Sequence, residues 1–359
     1  MNSNIITSQD IQDLKPLFGE SLPQRFLTYR LLTFLAESGI TDFLTGADEF
    51  TMGPAEEMLK QKFGIAASDT IRTRMIQIAL DFLYECGIIH KEGMFFSRGS
   101  TDYDAFRLSK NEIERAGTFF GGQISFFNEC INYSEKFLRG APPLFRFDEK
   151  SLDIWERFLG NTEFETARIL LMKLLSSKKT GSCKILNLCS GLGFDISAIQ
   201  NIMPDAEITA IDFTDVFRER ALGRVEQPET VRWEDSRRWD GFGSALPFSS
   251  ETFDLVFFSC ADPYIPQDAR EFAYRDIFRT IKKGGSFGIL TNSYPDPEKK
   301  GVLDRWVRRG VLCHDFAESV CEGWYGFSLP EKSAGLFQDI GFKVSSVLLN
   351  SSLWRLDKP

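Results

Sequence analysis

The sequence predicts an α/β protein, in which a mostly helical first half precedes a mainly parallel β-sheet covered by helices on both faces. Three observations predict this fold class. After Gly181, short apolar runs alternate with segments of helical periodicity, a glycine-containing turn follows the first run, and two apolar runs close the chain with only a short turn between them. Alternating strands and helices are typical of parallel βαβ units, whereas a short connection between two strands requires antiparallel pairing.

Seven segments in residues 181–359 have the length and apolar pattern of strands. In chain order they read KILNLCS, EITAIDF, VRWED, FDLVFFSC, GSFGILTN, FKVSSVLLN and SLWRL. Four segments between them have helical spacing: DISAIQNIM, VFRERALGRV, AREFAYRDIFRTI and EKSAGLFQDIG. We therefore expect a seven-stranded sheet whose last strand is antiparallel to its neighbours.

The first half of the chain is predicted to form two further segments. Residues 1–105 contain three helical patterns and then a hairpin, IIHKEGMFFS, whose turn is formed by residues 91–93. This order is typical of a winged helix, and because a basic face is absent we expect it to serve dimerisation rather than DNA binding. Residues 106–180 are helical and aromatic, so we expect them to bridge two domains and cap a pocket. Residues 181–359 then form the sheet domain.

Composition and charge exclude several classes of protein. With 42 basic against 51 acidic residues the formal charge is −9, which argues against a nucleic-acid-binding face. No apolar run reaches the roughly 18 residues that a membrane span needs, and the polar N-terminus is unlike a secretory signal. The seven cysteines lack the spacing of a disulfide framework or a zinc site. We expect a cytoplasmic protein with no metal and no nucleic-acid or membrane partner.

The turn after the first strand of the sheet, Ser190 to Gly193, is predicted to lie against a ligand. In an open α/β sheet, ligands bind beyond the carboxyl ends of the strands, and Gly191 and Gly193 let the backbone approach closely. At the tip of the second strand, Asp212 is placed to accept hydrogen bonds from both hydroxyls of a ribose. A dinucleotide site would need a third glycine where Ile196 stands. The other nucleoside cofactor that this geometry allows is S-adenosylmethionine (SAM), and the turn taken alone also fits a tight strand-to-helix connection that binds no ligand.

Further motifs follow in the order that such a site requires. VRWED places Glu234 and Asp235 at the end of the third strand, where a carboxylate can accept from an adenine amino group. ALPF precedes the fourth strand, and IKKGG leads into the fifth. Together these motifs resemble the class I SAM-dependent methyltransferases over residues 181–356. The whole chain resembles the dimeric small-molecule O-methyltransferases with an N-terminal winged helix.

The resemblance implies a Rossmann-like SAM-binding sheet, a homodimer, and methyl transfer to an oxygen or nitrogen of a small apolar or aromatic molecule. The chain departs from the family pattern at Asn187, where the family has an acidic residue, and at Cys189, where it has glycine. We expect Asn187 to bind the methionine part without charge and Cys189 to pack. The predicted cofactor-binding residues are Asn187, Cys189, Ser190, Gly191, Gly193, Asp212, Phe213, Glu234, Asp235, Ser259 and Asn161.

The chain also departs from the resembling enzymes at the general base, since those enzymes use a histidine shortly after the fourth strand. The corresponding segment here, SCADPYIPQD, has no histidine, and its candidate catalytic residues are Asp262 and Tyr264. The ADPY element is similar to the Asp/Asn-Pro-Pro-Tyr element of amino-group methyltransferases. Asp262 is equally suited to capping the next helix. We expect His90 to lie at the surface and His314, in a late helical segment, to be solvated or to cap a helix.

Without a histidine base, several hypotheses about the reaction stay open. The carboxylate after the fourth strand acts as base or orienting group, or the nucleophile is a thioether, free amine or carbanion that needs no base. Alternatively, SAM is itself the substrate, and its amine attacks its own carbon chain and releases methylthioadenosine. The segment around Phe158, Asn161 and Phe164 would then fold the methionine tail. A different class is a non-catalytic winged-helix regulator that senses a nucleoside, but its third helix has Arg72 and Arg74 among mostly apolar residues.

Overall fold

A computed structural model of the chain describes residues 22–46, 50–93, 95–177, 182–295 and 302–359. These residues form two compact units, which we refer to as the sheet unit (147–295 with 325–359) and the helical unit (22–146 with 302–324). The units divide the chain at other places than the three expected segments, and the roles assigned to those segments stay predictions. The polar N-terminus and the expected boundary at 180/181 lie outside the described residues.

The helices have bounds close to the periodic segments of the sequence. They are α1 Leu22–Glu37, α2 Ile40–Thr45, α3 Met52–Phe63, α4 Thr70–Glu85, α5 Lys110–Leu138, α6 Leu152–Leu159, α7 Thr162–Ser176, α8 Phe194–Ile202, α9 Arg218–Arg224, α10 Arg270–Thr280, α11 Val302–Glu318 and α12 Pro330–Ile340. Within the described ranges, none of these helices combines the length and the apolar character that a membrane crossing requires.

The strands fall into two sheets. Their bounds are β1 Phe50–Thr51, β2 Ile89–Glu92, β3 Phe95–Arg98, β4 Lys184–Leu188, β5 Glu207–Ile211, β6 Val231–Trp233, β7 Phe253–Ser259, β8 Ile281–Leu290, β9 Lys343–Leu348 and β10 Leu353–Asp357. In the helical unit, β2 and β3 pair antiparallel and β1 adds to the edge of β3. The predicted hairpin is confirmed, but its turn is not where the sequence placed it, because Lys91 and Glu92 pair with β3 as the last residues of β2. Its interpretation as the wing of a winged helix stays a prediction.

The third helix of the first half, α4, does not present its arginines as free cations. The guanidinium of Arg72 donates to the carbonyl oxygen of Ala141 at 2.7 Å, and Arg74 forms an ion pair with the buried carboxylate of Asp315. Both partners belong to the same helical unit. These two positive charges are therefore used inside the unit, as expected for a helix that packs.

The sheet unit contains the predicted seven-stranded sheet, in the order β6-β5-β4-β7-β8-β10-β9. The five strands from β6 to β8 are parallel, and β10 inserts antiparallel between β8 and β9. Strand β4 is buried on both faces after its exposed first residue, Lys184, and its Leu186 and Leu188 lie in a core with Val256, Phe258 and Phe287 of the neighbouring strands. The expected sheet with an antiparallel last strand is confirmed.

The topology determines where a ligand can bind. From β4 the chain builds outward through β5 to β6, and it then returns to the other side of β4 to place β7 and β8. Strand order reverses between β4 and β7, so the helices that follow these two strands diverge and leave a crevice beyond the strands' carboxyl ends. The turns after β4, β5 and β7 meet at this edge. We refer to it as the crevice.

Candidate active site

The turn after β4 begins with two residues in unusual backbone conformations. Cys189 has φ 56° and Gly191 has φ 47°, both in the left-handed region, and Gly193 follows with φ 80° before α8 begins. The amide of Ser190 donates to the carbonyl oxygen of Ile211 at 3.1 Å, which ties the turn to the end of β5. The predicted glycine turn is thus a tight connection that lies at the crevice.

The two glycines serve different purposes. A Cβ on Gly193 would lie 3.1 Å from both Cα and Cβ of Ala221 in α9, so close packing and the positive φ both favour glycine there. A Cβ on Gly191 would find only the carbonyl oxygen of Cys189, at 3.9 Å. Gly191 therefore leaves open space above the turn, as a site for a closely approaching ligand requires.

The backbone at Cys189 is left-handed, and this conformation explains why the family pattern has glycine at the same position. Left-handed φ values are strained for residues with a Cβ, and glycine adopts them without that cost. The Cys189 side chain packs against the core of the sheet. Burial raises the pKa of its thiol well above the ordinary range, and the carboxylates of Asp212 and Asp195 raise it further. A neutral thiol in this place is suited to packing.

Asp212, directly after β5, turns its carboxylate toward the glycine turn. Its Oδ2 accepts a hydrogen bond from the amide of Gly191 at 2.8 Å, and its Oδ1 accepts one from the amide of Thr214 at 3.2 Å. Each carboxylate oxygen can accept a second hydrogen bond. Burial raises the pKa of Asp212 to about 6, although the amides of Gly191 and Thr214 act to lower it. The group is placed as a ribose-binding carboxylate would be.

A buried polar network lies below the turn, and two of its members were missed by the sequence analysis. Asp195, in the first turn of α8 and 4% exposed, accepts from the guanidinium Nε of Arg168 at 2.7 Å and from the hydroxyl of Ser259 at 2.6 Å through Oδ1. Its Oδ2 accepts from Nδ2 of Asn187 at 3.1 Å. Among the described residues, the Oδ1 of Asn187 has no hydrogen-bond partner. The acidic residue directly after the glycine turn was the available signal for Asp195.

The two acidic residues after β6 differ in accessibility. The carboxylate of Glu234 is buried and forms ion pairs with Arg232, at 2.6 Å, and with Arg238. Asp235 lies nearer to solvent, where its carboxylate accepts from the backbone amide of Arg237 at 3.0 Å and from that residue's guanidinium. These bonds hold the pKa of Asp235 at about 2. Both carboxylates are thus already engaged by arginines.

The acidic residue of the segment after β7, Asp262, is held by side chains of α10. Asp262, 4% exposed, opens a short 3₁₀ turn, and its Oδ1 accepts from the guanidinium of Arg270 at 2.5 Å and from the hydroxyl of Tyr274. Both partners belong to α10, so the ion pair fastens the turn to that helix. Tyr264, at the end of the turn, contributes its ring to an aromatic group instead.

Aromatic rings from the segments after β5 and β7 contact one another through Phe147. The ring of Phe147 lies 5.2 Å from that of Phe213, after β5, and 5.2 Å from that of Tyr264, after β7, edge-on to both. Trp155 stacks on the other side of Phe147 at 5.7 Å. Since β5 and β7 flank β4, the Phe147 ring lies between the segments that follow those two strands. We refer to Phe147, Phe213 and Tyr264 as the aromatic group.

Two other predicted residues have clear local tasks. Asn161 caps α7, because its Oδ1 accepts from the amide of Phe164 at 3.0 Å and its Nδ2 donates to the carbonyl of Phe158 at 2.6 Å. His314 is neither solvated nor a cap, so that expectation is wrong. It lies inside α11 with 13% of its side chain exposed, and its Nε2 is 2.6 Å from a carboxylate oxygen of Glu318 one turn away.

A model of the methyltransferase domain family matches residues 185–285, which contain the glycine turn and Asp212. The fold is similar to that of the CurJ carbon methyltransferase, with a TM-score of 0.66 at 14% identity over 98% of this chain and 97% of that chain. It is also similar to the DszA carbon methyltransferase, with a TM-score of 0.60 at 16% identity over 93% of this chain and 88% of that chain.

A third similar structure is an O-methyltransferase family 2 protein from Planctomyces limnophilus DSM 3776 in complex with apigenin. Its TM-score is 0.57 at 14% identity, over 98% of this chain and 97% of that chain. At such identities the similarity shows the fold, while the family match covers the strands and turns that form the crevice. The predicted resemblance to class I methyltransferases is confirmed. Residues 185–285 therefore form a methyltransferase domain, and the chain is an S-adenosylmethionine-dependent methyltransferase of the class I type.

Proposed function

We propose that this methyltransferase acts on a small molecule with an apolar or aromatic surface, with the methyl group going to an oxygen or a nitrogen. The aromatic group of Phe147, Phe213 and Tyr264 is the observation that carries the proposal, because it lies at the crevice beside Asp212. Aromatic walls favour flat apolar acceptors, and ring faces stabilise a nearby cation such as a sulfonium. The similar structures named above include carbon and oxygen methyltransferases, one of them with apigenin.

We further propose how the crevice holds its cofactor. Asp212 has free acceptor capacity for ribose hydroxyls, Gly191 leaves space for a close approach, and Asn187 offers an acceptor that lacks a donor among the described residues. These features fit SAM, which supplies an electrophilic methyl group on a positively charged sulfur. Ser190 and Gly193 shape the turn against the methionine part.

For the adenine, we propose Phe213 as the ring contact and Asp235 as the polar contact. Asp235 has 38% of its side chain exposed, whereas only 4% of the Glu234 side chain is exposed and that carboxylate is held by two arginines. An acceptor for an adenine amino group must be reachable. Glu234 then stabilises the end of β6 through its ion pairs with Arg232 and Arg238.

The geometry favours an acceptor that needs no strong base. The carboxylate of Asp262 is buried and already bound by Arg270 and Tyr274, so it is not available to contact an acceptor as a base. We propose that Asp262 is a positioning residue, which through Arg270 and Tyr274 fixes the turn that presents the Tyr264 ring to the acceptor. The reaction then relies on alignment of the nucleophile and exclusion of water.

A product assay tests this proposal. The protein is incubated with methyl-labelled SAM and with sets of phenols, amines and 1,3-dicarbonyl compounds, and both S-adenosylhomocysteine and labelled product are measured. We expect S-adenosylhomocysteine only with an acceptor, and a raised KM for the acceptor in Phe147→Leu. The exposed Phe272 of α10 offers a matched control, Phe272→Leu, which should change nothing. Methylthioadenosine formed from SAM alone would establish the cyclase alternative, which the family match does not support.

We also propose that the protein is a cytoplasmic homodimer that pairs through its helical unit. Exposed apolar side chains of that unit support this, namely Met58, Phe95 and Ile113. The described cysteines form no disulfide bond with one another, as is usual in a reducing compartment. Light scattering gives the mass in solution, and a monomer at micromolar concentration would contradict dimerisation. The regulator alternative gains no support, because Arg72 and Arg74 are engaged within the unit.

A further inference from the structure

We propose that Asp195 is a positioning residue, which fixes the orientation of the Asn187 side-chain amide so that its oxygen receives the ammonium group of the cofactor. The proposal rests on the cofactor placement proposed above and adds a residue to it. Neither Asp195 nor its partner Arg168 belongs to the glycine turn. Their role is carried by the buried network that joins α7, α8, β4 and β7.

The amide orientation follows from hydrogen-bond chemistry. An ionised carboxylate only accepts hydrogen bonds, and Oδ2 of Asp195 lies 3.1 Å from the Asn187 amide. The nitrogen of that amide must therefore face Asp195, and it also lies 3.5 Å from the carbonyl oxygen of Phe257, another acceptor. With both acceptors on the nitrogen side, the oxygen is directed away from them.

The amide oxygen is then a buried acceptor in need of a donor. Asn187 is 0% exposed, and its Oδ1 has no partner among the described residues. Buried polar atoms without partners are rare in folded proteins, and each such atom points to a missing partner. An ammonium group has three N–H donors and a positive charge, which matches this oxygen at the base of the glycine turn.

The negatively charged residue of this site lies on helix α8 here, and not on strand β4. The resembling family has an acidic residue at the position of Asn187, whereas here the charge lies on Asp195. Arg168, only 3% exposed, neutralises it at 2.7 Å, and Ser259 at the end of β7 donates to the same oxygen at 2.6 Å. The carboxylate is thus held by three donors from three different elements. An acidic residue at 187 in addition would place two carboxylates within hydrogen-bond distance.

Substitutions that exchange the two side chains test the inference. The variants are Asp195→Asn, Asn187→Asp, and the double exchange Asn187→Asp with Asp195→Asn. Asp276→Asn is the matched control, since Asp276 is another buried carboxylate of the sheet unit and does not belong to the crevice. Its Oδ1 accepts a hydrogen bond from Nε of Arg279 at 2.7 Å. For each variant the dissociation constants of SAM and S-adenosylhomocysteine are measured by calorimetry, together with urea unfolding and KM and kcat.

We expect Asp195→Asn to weaken SAM binding by about ten-fold or more and to raise KM for SAM, because the amide is then free to flip. The value of kcat at saturating SAM should change much less. The control variant should lose stability to a similar degree while its SAM affinity stays within about two-fold. Asp195→Asn with unchanged SAM affinity would overturn the proposal.

The double exchange keeps the test decisive if Asp195→Asn alone fails to fold. Asn187→Asp should bind SAM poorly at pH 8, where two adjacent carboxylates repel, and the added Asp195→Asn should restore the affinity because the amide–carboxylate pair is rebuilt in reverse. A double variant that binds no better than Asn187→Asp would overturn the inference. Failure of the unchanged protein to bind SAM would instead contradict the cofactor placement itself.

Discussion

The amide of Gly191 donates to Oδ2 of Asp212 at 2.8 Å, and this bond joins the turn after β4 to the carboxylate after β5. The two residues follow neighbouring parallel strands, whose carboxyl ends lie at the same edge of the sheet. The amide of Thr214 holds the other oxygen of Asp212 at 3.2 Å. The carboxylate is therefore oriented before a cofactor binds, which reduces the entropic cost of binding.

Asp212→Asn should weaken SAM binding by about 2 kcal/mol, because hydrogen bonds to a charged acceptor are replaced by bonds to a neutral one. Calorimetric titration measures the change. Asp215→Asn is a suitable control, since Asp215 is exposed and lies three residues further along the chain. Equal affinities of Asp212→Asn and the unchanged protein would remove Asp212 from the site.

The pH dependence of SAM binding should reflect the raised pKa of Asp212, which is about 6 against an ordinary value of 3.8. As the pH falls through 6, the carboxyl becomes protonated and accepts fewer hydrogen bonds, so SAM affinity should fall. The sign for folding is opposite: between pH 4 and 6 the folded protein keeps a proton that the unfolded chain has lost, so this group lowers stability as pH rises.

Calorimetry near pH 6 in buffers of different ionisation enthalpy should detect proton release when SAM binds. Ribose hydroxyls that donate to the carboxylate stabilise its charged form and lower its pKa. Asp212→Asn should abolish this release. A release that persists in Asp212→Asn would assign it to another group.

Cys189→Val should lower the free energy of unfolding by about 1–3 kcal/mol, because a β-branched residue is strongly disfavoured at a φ of 56°. Cys189→Gly should cost less than Cys189→Val, since glycine adopts this conformation freely. Urea unfolding measures both. Cys183→Val serves as the control at a buried cysteine that does not have a positive φ. If Cys189→Val and Cys183→Val lose the same free energy of unfolding, the loss at position 189 comes from packing and not from backbone strain.

Gly193→Ala should destabilise the protein by about 1–3 kcal/mol, and it should do so more than Gly191→Ala. Both positions have a positive φ, but the added methyl at 193 would lie 3.1 Å from Ala221, whereas at 191 its nearest neighbour is 3.9 Å away. Gly191→Ala should instead weaken SAM binding, since it fills the space above the turn. Unfolding and titration curves for the two variants separate the effects, and the reverse pattern would contradict this division of roles.

Asp262→Ala should cost about 3–5 kcal/mol of stability, because it leaves the guanidinium of Arg270 buried without its charged partner. Tyr264→Ala should leave SAM affinity unchanged and raise KM for the acceptor. Unfolding curves and steady-state kinetics distinguish the two. If Asp262→Asn were as stable as the unchanged protein and its kcat fell, Asp262 would be a catalytic residue rather than a positioning one.

Much of the fold was predictable because its signals are local. The seven strands, the antiparallel last strand and the glycine turn all follow from periodicity and turn residues, which depend on near neighbours in sequence. The place of Asp212 followed too, since a residue after a parallel strand reaches the carboxyl edge of the sheet. Asp262 was less predictable, because the partners that bury it lie 8 and 12 residues further on, in α10.

The sequence by itself determined the alternation of strands and helices, the antiparallel last strand and the residues of the glycine turn, because periodicity and φ preference are properties of short segments. Only the tertiary structure decided which side chains meet there. Arg168 reaches Asp195 across 27 residues, and Ser259 reaches it across 64. Phe147 contacts rings that follow two different strands. Such contacts depend on how separate elements pack, and packing is set by the shapes and buried charges of distant residues rather than by any local pattern.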